Sequence, residues 1–198
     1  MERFQKTRRL ALAALIVLLG SILIFGRSAQ DEVLHDRIEM AGVILIVLGI
    51  GGRLWSILYI GGRKSAEVVE TGPYSMTRNP LYLFSSIAAA GAGAQMGSCV
   101  ALAGFALVCA GAFYVVILRE ERYLTATLGA RFKDYMKRVP RFLPNPLLYR
   151  DQAEVTFRPR ILKQTLLDGL VFFISIPLFE LIEEGQESGI IPVLFLWP

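Results

Sequence analysis

Histidine and cysteine are nearly absent: 198 residues hold one histidine, His35, and two cysteines, Cys99 and Cys109. The cysteines lie more than two helical turns apart in one apolar run, so a helix keeps them from bridging, and they read as small buried apolar residues. No set of histidine, cysteine and carboxylate residues has metal-ligand spacing, and no covalent nucleophile with a base is visible. His35 stands in a short polar stretch with Asp31, Glu32, Asp36 and Arg37, where it is expected to be solvated and without a role. Charge is scarce as well. Charged residues make up 19% of the chain and hydrophobic ones 54%, which excludes an ordinary soluble domain. The net charge of +4 does not make this a nucleic-acid binder, because the basic residues follow membrane topology.

What the chain does have is long apolar segments. The first, residues 10–26, follows Arg3, Lys6, Arg8 and Arg9. Its end, Gly-Arg-Ser-Ala-Gln, makes a poor cleavage site, so a retained span is expected. The second is residues 38–60 and contains Arg53, which either snorkels to the nearby polar end or faces a ligand inside the bundle. A polar loop over 61–80 ends in Asn79-Pro80, read as an N-cap and the first residue of a helix. Residues 81–118 are too long for one span, and Gln95, Gly97 and Ser98 divide them into a tight hairpin. Between Ile87 and Ala112, 15 of 26 residues are glycine or alanine, which lets helices approach closely in lipid. Gly91 and Gly93 serve either that contact or the approach of a ligand to the backbone. Residues 119–165 are polar and basic, with a helix-like run from Glu120 to Lys137. A last span is expected near 166–182, kinked by Pro177, followed by an apolar tail too short to span.

With the N-terminus cytosolic, 19 of the 21 lysines and arginines fall on the cytosolic side, leaving Arg27 and Arg37 outside. The expected fold is an all-α polytopic membrane bundle of about five transmembrane helices, with a tight helical hairpin and a cytosolic helical segment near the C-terminal third. The whole chain reads as one membrane domain with its core at about 53–146. A bacterial-type inner membrane or its equivalent is the expected location, with the site facing the cytosol.

The hairpin returns the chain to the face it left, so Arg78-Asn79 and Glu120-Glu121 are expected at one depth. The plain reading is an interfacial ion cluster. The functional reading is a ligand docked between the helix start, which favours a carboxylate, and glutamates that accept from ribose hydroxyls or an ammonium. Tyr82, one turn inside, stacks on an aromatic or contacts a cation. A zwitterionic nucleoside such as S-adenosylmethionine has all of these groups, although residue types alone do not select it from other nucleotides.

The series Gly72-Pro73-Tyr74, Arg78-Asn79-Pro80, Tyr82, then Arg119-Glu120-Glu121 and Leu124, then Tyr135, Val139, Arg141 and Pro144, resembles the isoprenylcysteine carboxyl methyltransferase family, to which the phospholipid N-methyltransferases are related. The resemblance runs from about Arg53 to Pro144. It implies S-adenosylmethionine held by Arg78, Asn79, Pro80, Tyr82, Gly91, Gly93, Glu120 and Glu121, and a lipophilic or small-molecule methyl acceptor reached through the lipid bilayer. Candidates to position an acceptor carboxylate are Arg138, Arg141 and, third, Arg53. The chain departs from the family at Asn79, where histidine is usual; asparagine still hydrogen-bonds but does not titrate near neutrality. The region from Gly129 to Pro144 also resembles the C-terminal part of NADPH-dependent membrane sterol reductases, which leaves a reductase, or a non-catalytic membrane protein, as alternatives.

Overall fold

A computed structural model describes residues 23–62 and 67–197. The expected first span lies outside them except for its last residues, as do Arg63 and Lys64.

Helix α1 spans Glu32–Ile60. It begins six residues ahead of the expected segment because Asp31 caps it, accepting the Leu34 N–H at 3.1 Å, and Glu32 suits the positive helix start. His35, Asp36 and Arg37 are therefore helical, not looped. Gly72 turns the chain into a short helix α2, Pro73–Met76, and α3 follows at Pro80–Ala94.

Helix α3 has 15 residues, about 22 Å, less than the ~30 Å hydrocarbon core. Among the described residues, three helical stretches are long and apolar enough to cross a membrane: α1, the helix Cys99–Arg138 and the stretch Pro159–Glu187. Helix α3 is instead wedged inside the bundle, buried almost continuously from Ser85 to Ala94. Small residues make this possible. A Cβ on Gly42 would lie 2.8 Å from the Gly91 carbonyl, and one on Gly91 only 2.5 Å from the Gly42 carbonyl. One turn-pair along, a Cβ on Gly49 would meet Ala88 at 2.6 Å. Backbones in this contact touch directly, which is how helices associate where lipid supplies no hydrophobic drive.

The hairpin turn at 95–98 leads into α4, Cys99–Arg138, whose first turn is capped by the Ser98 hydroxyl. The apolar span and the helix-like run expected from Glu120 to Lys137 join in this one element. No proline or glycine interrupts residues 112–128, so the helix runs on to Gly129, whose φ of 62° breaks it, and resumes to Arg138. Up to that break α4 runs about 45 Å, longer than the ~30 Å membrane core, so its C-terminal part lies beyond the core. There Phe132, Tyr135 and Val139 pack on Val68 and fold this extension back over the loop before α2.

The last membrane stretch is composite. Helix α5, Pro159–Leu170, passes through a 3-10 turn at Val171–Ile174 into α6, Ser175–Glu187. Pro177 has no N–H for the Phe173 carbonyl, and the tightened turn just before it accommodates the loss while the Ser175 hydroxyl bonds the Phe172 carbonyl at 2.7 Å. The tail then forms β2, Phe195–Trp197, paired in parallel with β1, Gly26–Ser28. This clasp gives the short tail a backbone partner that hydropathy did not reveal.

Candidate active site

The Gly-Pro-Tyr turn is held by the residues that follow α4. Gly72 has a φ of 58°, and a Cβ there would strike the Tyr59 ring at 2.4 Å. Pro73 starts α2, and the Ser75 hydroxyl closes the turn on the Gly72 carbonyl at 2.6 Å. The Tyr74 carbonyl accepts from the Tyr135 hydroxyl at 2.7 Å. Thr77, almost fully buried, donates to the Phe142 carbonyl at 3.0 Å, and the Arg78 N–H donates to the Pro140 carbonyl at 2.9 Å. Two segments more than sixty residues apart are thereby zipped into one platform beneath α3.

This platform, with α1, α3 and α4, encloses a cavity of 260 Å³. Its polar lining includes Arg53, Arg78, Asn79, Tyr82, Ser85 and Glu120. The Tyr82 hydroxyl donates to Glu120 at 2.9 Å. Arg53 reaches inward from α1 and donates to the Ser85 hydroxyl. Two buried donors, the Nε atoms of Arg53 and Arg78, have no hydrogen-bond partner among the described residues. Buried donors of this kind are costly when unpaired and fit a site that takes a polar ligand.

Glu121 has a different surrounding. Its carboxylate meets Arg78 Nη1 at 2.8 Å, both side chains being 10% exposed, and Arg141 at 3.0 Å from Nη2. Burial pulls Arg78 down from its usual value and Glu121 opposes that; the hydrogen bonds from Arg141 to Glu121 push Arg141 up. Both stay charged. Arg141 also donates to the Tyr114 hydroxyl at 3.0 Å, with its guanidinium 5.5 Å from that ring's centre.

Of the eight residues assigned to a cofactor, Arg78, Asn79, Tyr82 and Glu120 line the cavity. Pro80 is buried at the first position of α3. Glu121 lies outside the cavity, in the arginine cluster beside it. Gly91 and Gly93 lie in helix contacts: Gly91 against α1, and Gly93 against α4, where a Cβ would be 2.6 Å from the Ala101 carbonyl. Asn79 stands at the N-cap position of α3, as expected, but does not cap it with its side chain. Its side chain makes no bond to α3 and donates instead to the Arg141 carbonyl at 2.9 Å. Of the three arginines proposed for an acceptor, only Arg53 lines the cavity. Arg138 pairs with Glu70 at 2.6 Å on the half-exposed flank. Sequence reading missed Ser85, although it stands three residues after Tyr82, the spacing that shares a helix face.

The fold is that of an integral membrane helical bundle with a cavity near the start of a buried helix. The phospholipid methyltransferase family matches residues 38–131, and the chain belongs to that family. It is 31% identical over 177 residues to the nickel-cobalt-cadmium resistance protein NccN of Alcaligenes xylosoxydans xylosoxydans, covering 89% of this chain and 83% of the relative. It is 32% identical over 170 residues to the cobalt-zinc-cadmium resistance protein CzcN of Cupriavidus metallidurans, covering 85% and 78%. No solved structure matches the chain.

Proposed function

We propose that this protein is an integral membrane methyltransferase that uses S-adenosylmethionine to methylate a lipophilic or small acceptor, with the cavity facing the cytosol. The observation that supports this most is the convergence of Arg78, Asn79, Tyr82 and Glu120 on one recess in a member of the phospholipid methyltransferase family. The donor set fits a zwitterionic nucleoside. Glu120 is the acceptor for an ammonium or for ribose hydroxyls, and the unpaired Nε of Arg78 is a donor for a carboxylate. The first turn of α3 carries no side-chain cap, so its backbone N–H groups favour the same anionic end.

When bound, the cofactor supplies a sulfonium methyl group for in-line displacement. The chain's own work is alignment and exclusion of water. Tyr82 fixes the Glu120 carboxylate. Leu81, Phe113, Leu124 and Leu128 give the recess an apolar wall suited to a lipophilic acceptor. Arg53, held by Ser85, orients the polar end of that acceptor. Arg138 and Arg141 shape the platform through Glu70 and Glu121. Asn79 fastens the loop to the Arg141 carbonyl and moves no proton.

The family match favours methyl transfer over the reductase alternative. From the names of the relatives we carry over a setting: the reaction serves a cell exposed to divalent transition metals. The test is calorimetry of the full chain in nanodiscs with S-adenosylmethionine. Saturable binding by the wild type, weakened at least tenfold in Glu120→Ala, is expected, and absence of wild-type binding refutes the reading.

A further inference from the structure

The end of the bundle opposite the cavity carries a second constellation. His35 and Glu39 stand four residues apart on α1 and so share a face, and Glu183 on α6 meets them. From His35 Nε2 the Glu39 carboxylate is 3.2 Å away and that of Glu183 3.5 Å. The three ligand atoms all lie within 4.8 Å of one another. Along α1, His35 is about 33 Å from Ile57 in the cavity wall, so the two places share no residue.

The hairpin turn packs against the imidazole. Gly97, in the hairpin turn, has a φ of 59°, and a Cβ there would lie 2.1 Å from His35 Nδ1. The bare turn therefore backs the Nδ1 edge of the ring and leaves Nε2 aimed at the carboxylates. Gln95 from the same turn donates to the Glu39 carbonyl at 3.1 Å, fixing the α1 backbone at this level. A tetrahedral ion with bonds of ~2.0–2.1 Å sets its ligand atoms ~3.3 Å apart, close to the two separations from His35 Nε2. The group opens on a recess of 440 Å³ that also includes Glu32, Asp36 and Glu187, an acidic approach for a cation. Arg27 is the competing positive charge, 2.7 Å from Glu187 and 3.8 Å from Glu183.

We propose that His35, Glu39 and Glu183 bind a divalent transition metal of zinc or cobalt type, with neutral imidazole Nε2 and two carboxylate oxygens as ligands and water completing the shell. The site stands independently of the methyltransferase reading. A rival account is a proton-only cluster in which charged imidazole ties α1 to α6.

The test uses the full chain in nanodiscs and Co2+ as the probe. One saturable equivalent with the visible absorption of a low-symmetry cobalt site is expected. His35→Gln and Glu183→Gln are expected to weaken it about a hundredfold, and Arg27→Gln to tighten it several-fold. His35 is the chain's only histidine, so diethyl pyrocarbonate labelling of the wild type reads the site even where a variant fails to fold. Saturating Zn2+ should slow that labelling at least tenfold. Cobalt absorption that survives in folded His35→Gln, or labelling unchanged by Zn2+, overturns the proposal.

Discussion

Arg78 and Glu121 form an ion pair at 2.8 Å in which each side chain is 10% exposed, while the neighbouring Glu120 points into the cavity and accepts from Tyr82. Adjacent glutamates on one helix thus face two environments. Glu121 holds Arg78 and Arg141 together, and Glu120 lines the cavity.

Truncating the two should separate these roles. Glu121→Ala strands Arg78 in a buried place, and loss of a buried partner costs about 3–5 kcal/mol, reduced here because Arg141 is partly exposed. A clear fall in melting temperature is expected. Glu120→Gln should melt near the wild type yet bind S-adenosylmethionine at least tenfold more weakly. Equal melting temperatures for the two variants would contradict the division.

Gly91→Val places a side chain where the Gly42 carbonyl already stands. Overpacking of this kind costs about 1–3 kcal/mol. The variant should give less monodisperse protein on size exclusion, and its folded fraction should keep wild-type affinity for S-adenosylmethionine. A selective affinity loss with normal stability would instead make Gly91 a ligand contact.

The acceptor end is probed at Arg53. Arg53→Ala should lower kcat/KM for the methyl acceptor at least tenfold and change S-adenosylmethionine affinity less than threefold. Arg138→Ala, outside the cavity, should leave both nearly unchanged. The reverse ranking would return acceptor positioning to Arg138.

Asp151 gives a pH dependence. The Tyr59 and Tyr149 hydroxyls donate to its carboxylate at 2.6 and 2.8 Å, and these bonds hold it below the usual carboxylate range. Its folded pKa is depressed, so its contribution to stability is full above the unfolded value of ~3.9 and fades as pH falls through the folded one. The melting-temperature gap between wild type and Asp151→Asn should be constant from neutrality down to about pH 5 and shrink below about pH 4. A gap that does not change with pH would remove Asp151 from the acid response.

Much of this was legible in the sequence. Apolar run lengths gave the membrane bundle and the hairpin, and motif order brought Arg78, Tyr82 and Glu120 to one recess. Three things were hidden for physical reasons. Helix α3 reads as a span by hydropathy, but its glycine and alanine content reflects close packing on α1 and α4. The direction of Glu121 depends on the rotation of α4, which charge pattern does not report. His35 looked solvated because its partner Glu183 lies almost 150 positions along the chain, and only the closed bundle joins them.

The parallel pairing of Gly26–Ser28 with Phe195–Trp197 sets an order of events in synthesis. The early strand has to wait while roughly 170 further residues are made, on the order of 10–30 s at cellular elongation rates. During that interval the helices insert and pack around an unclosed edge. The clasp therefore closes late, and a fusion that occludes β2 should delay maturation more than one placed in the loop between α4 and α5.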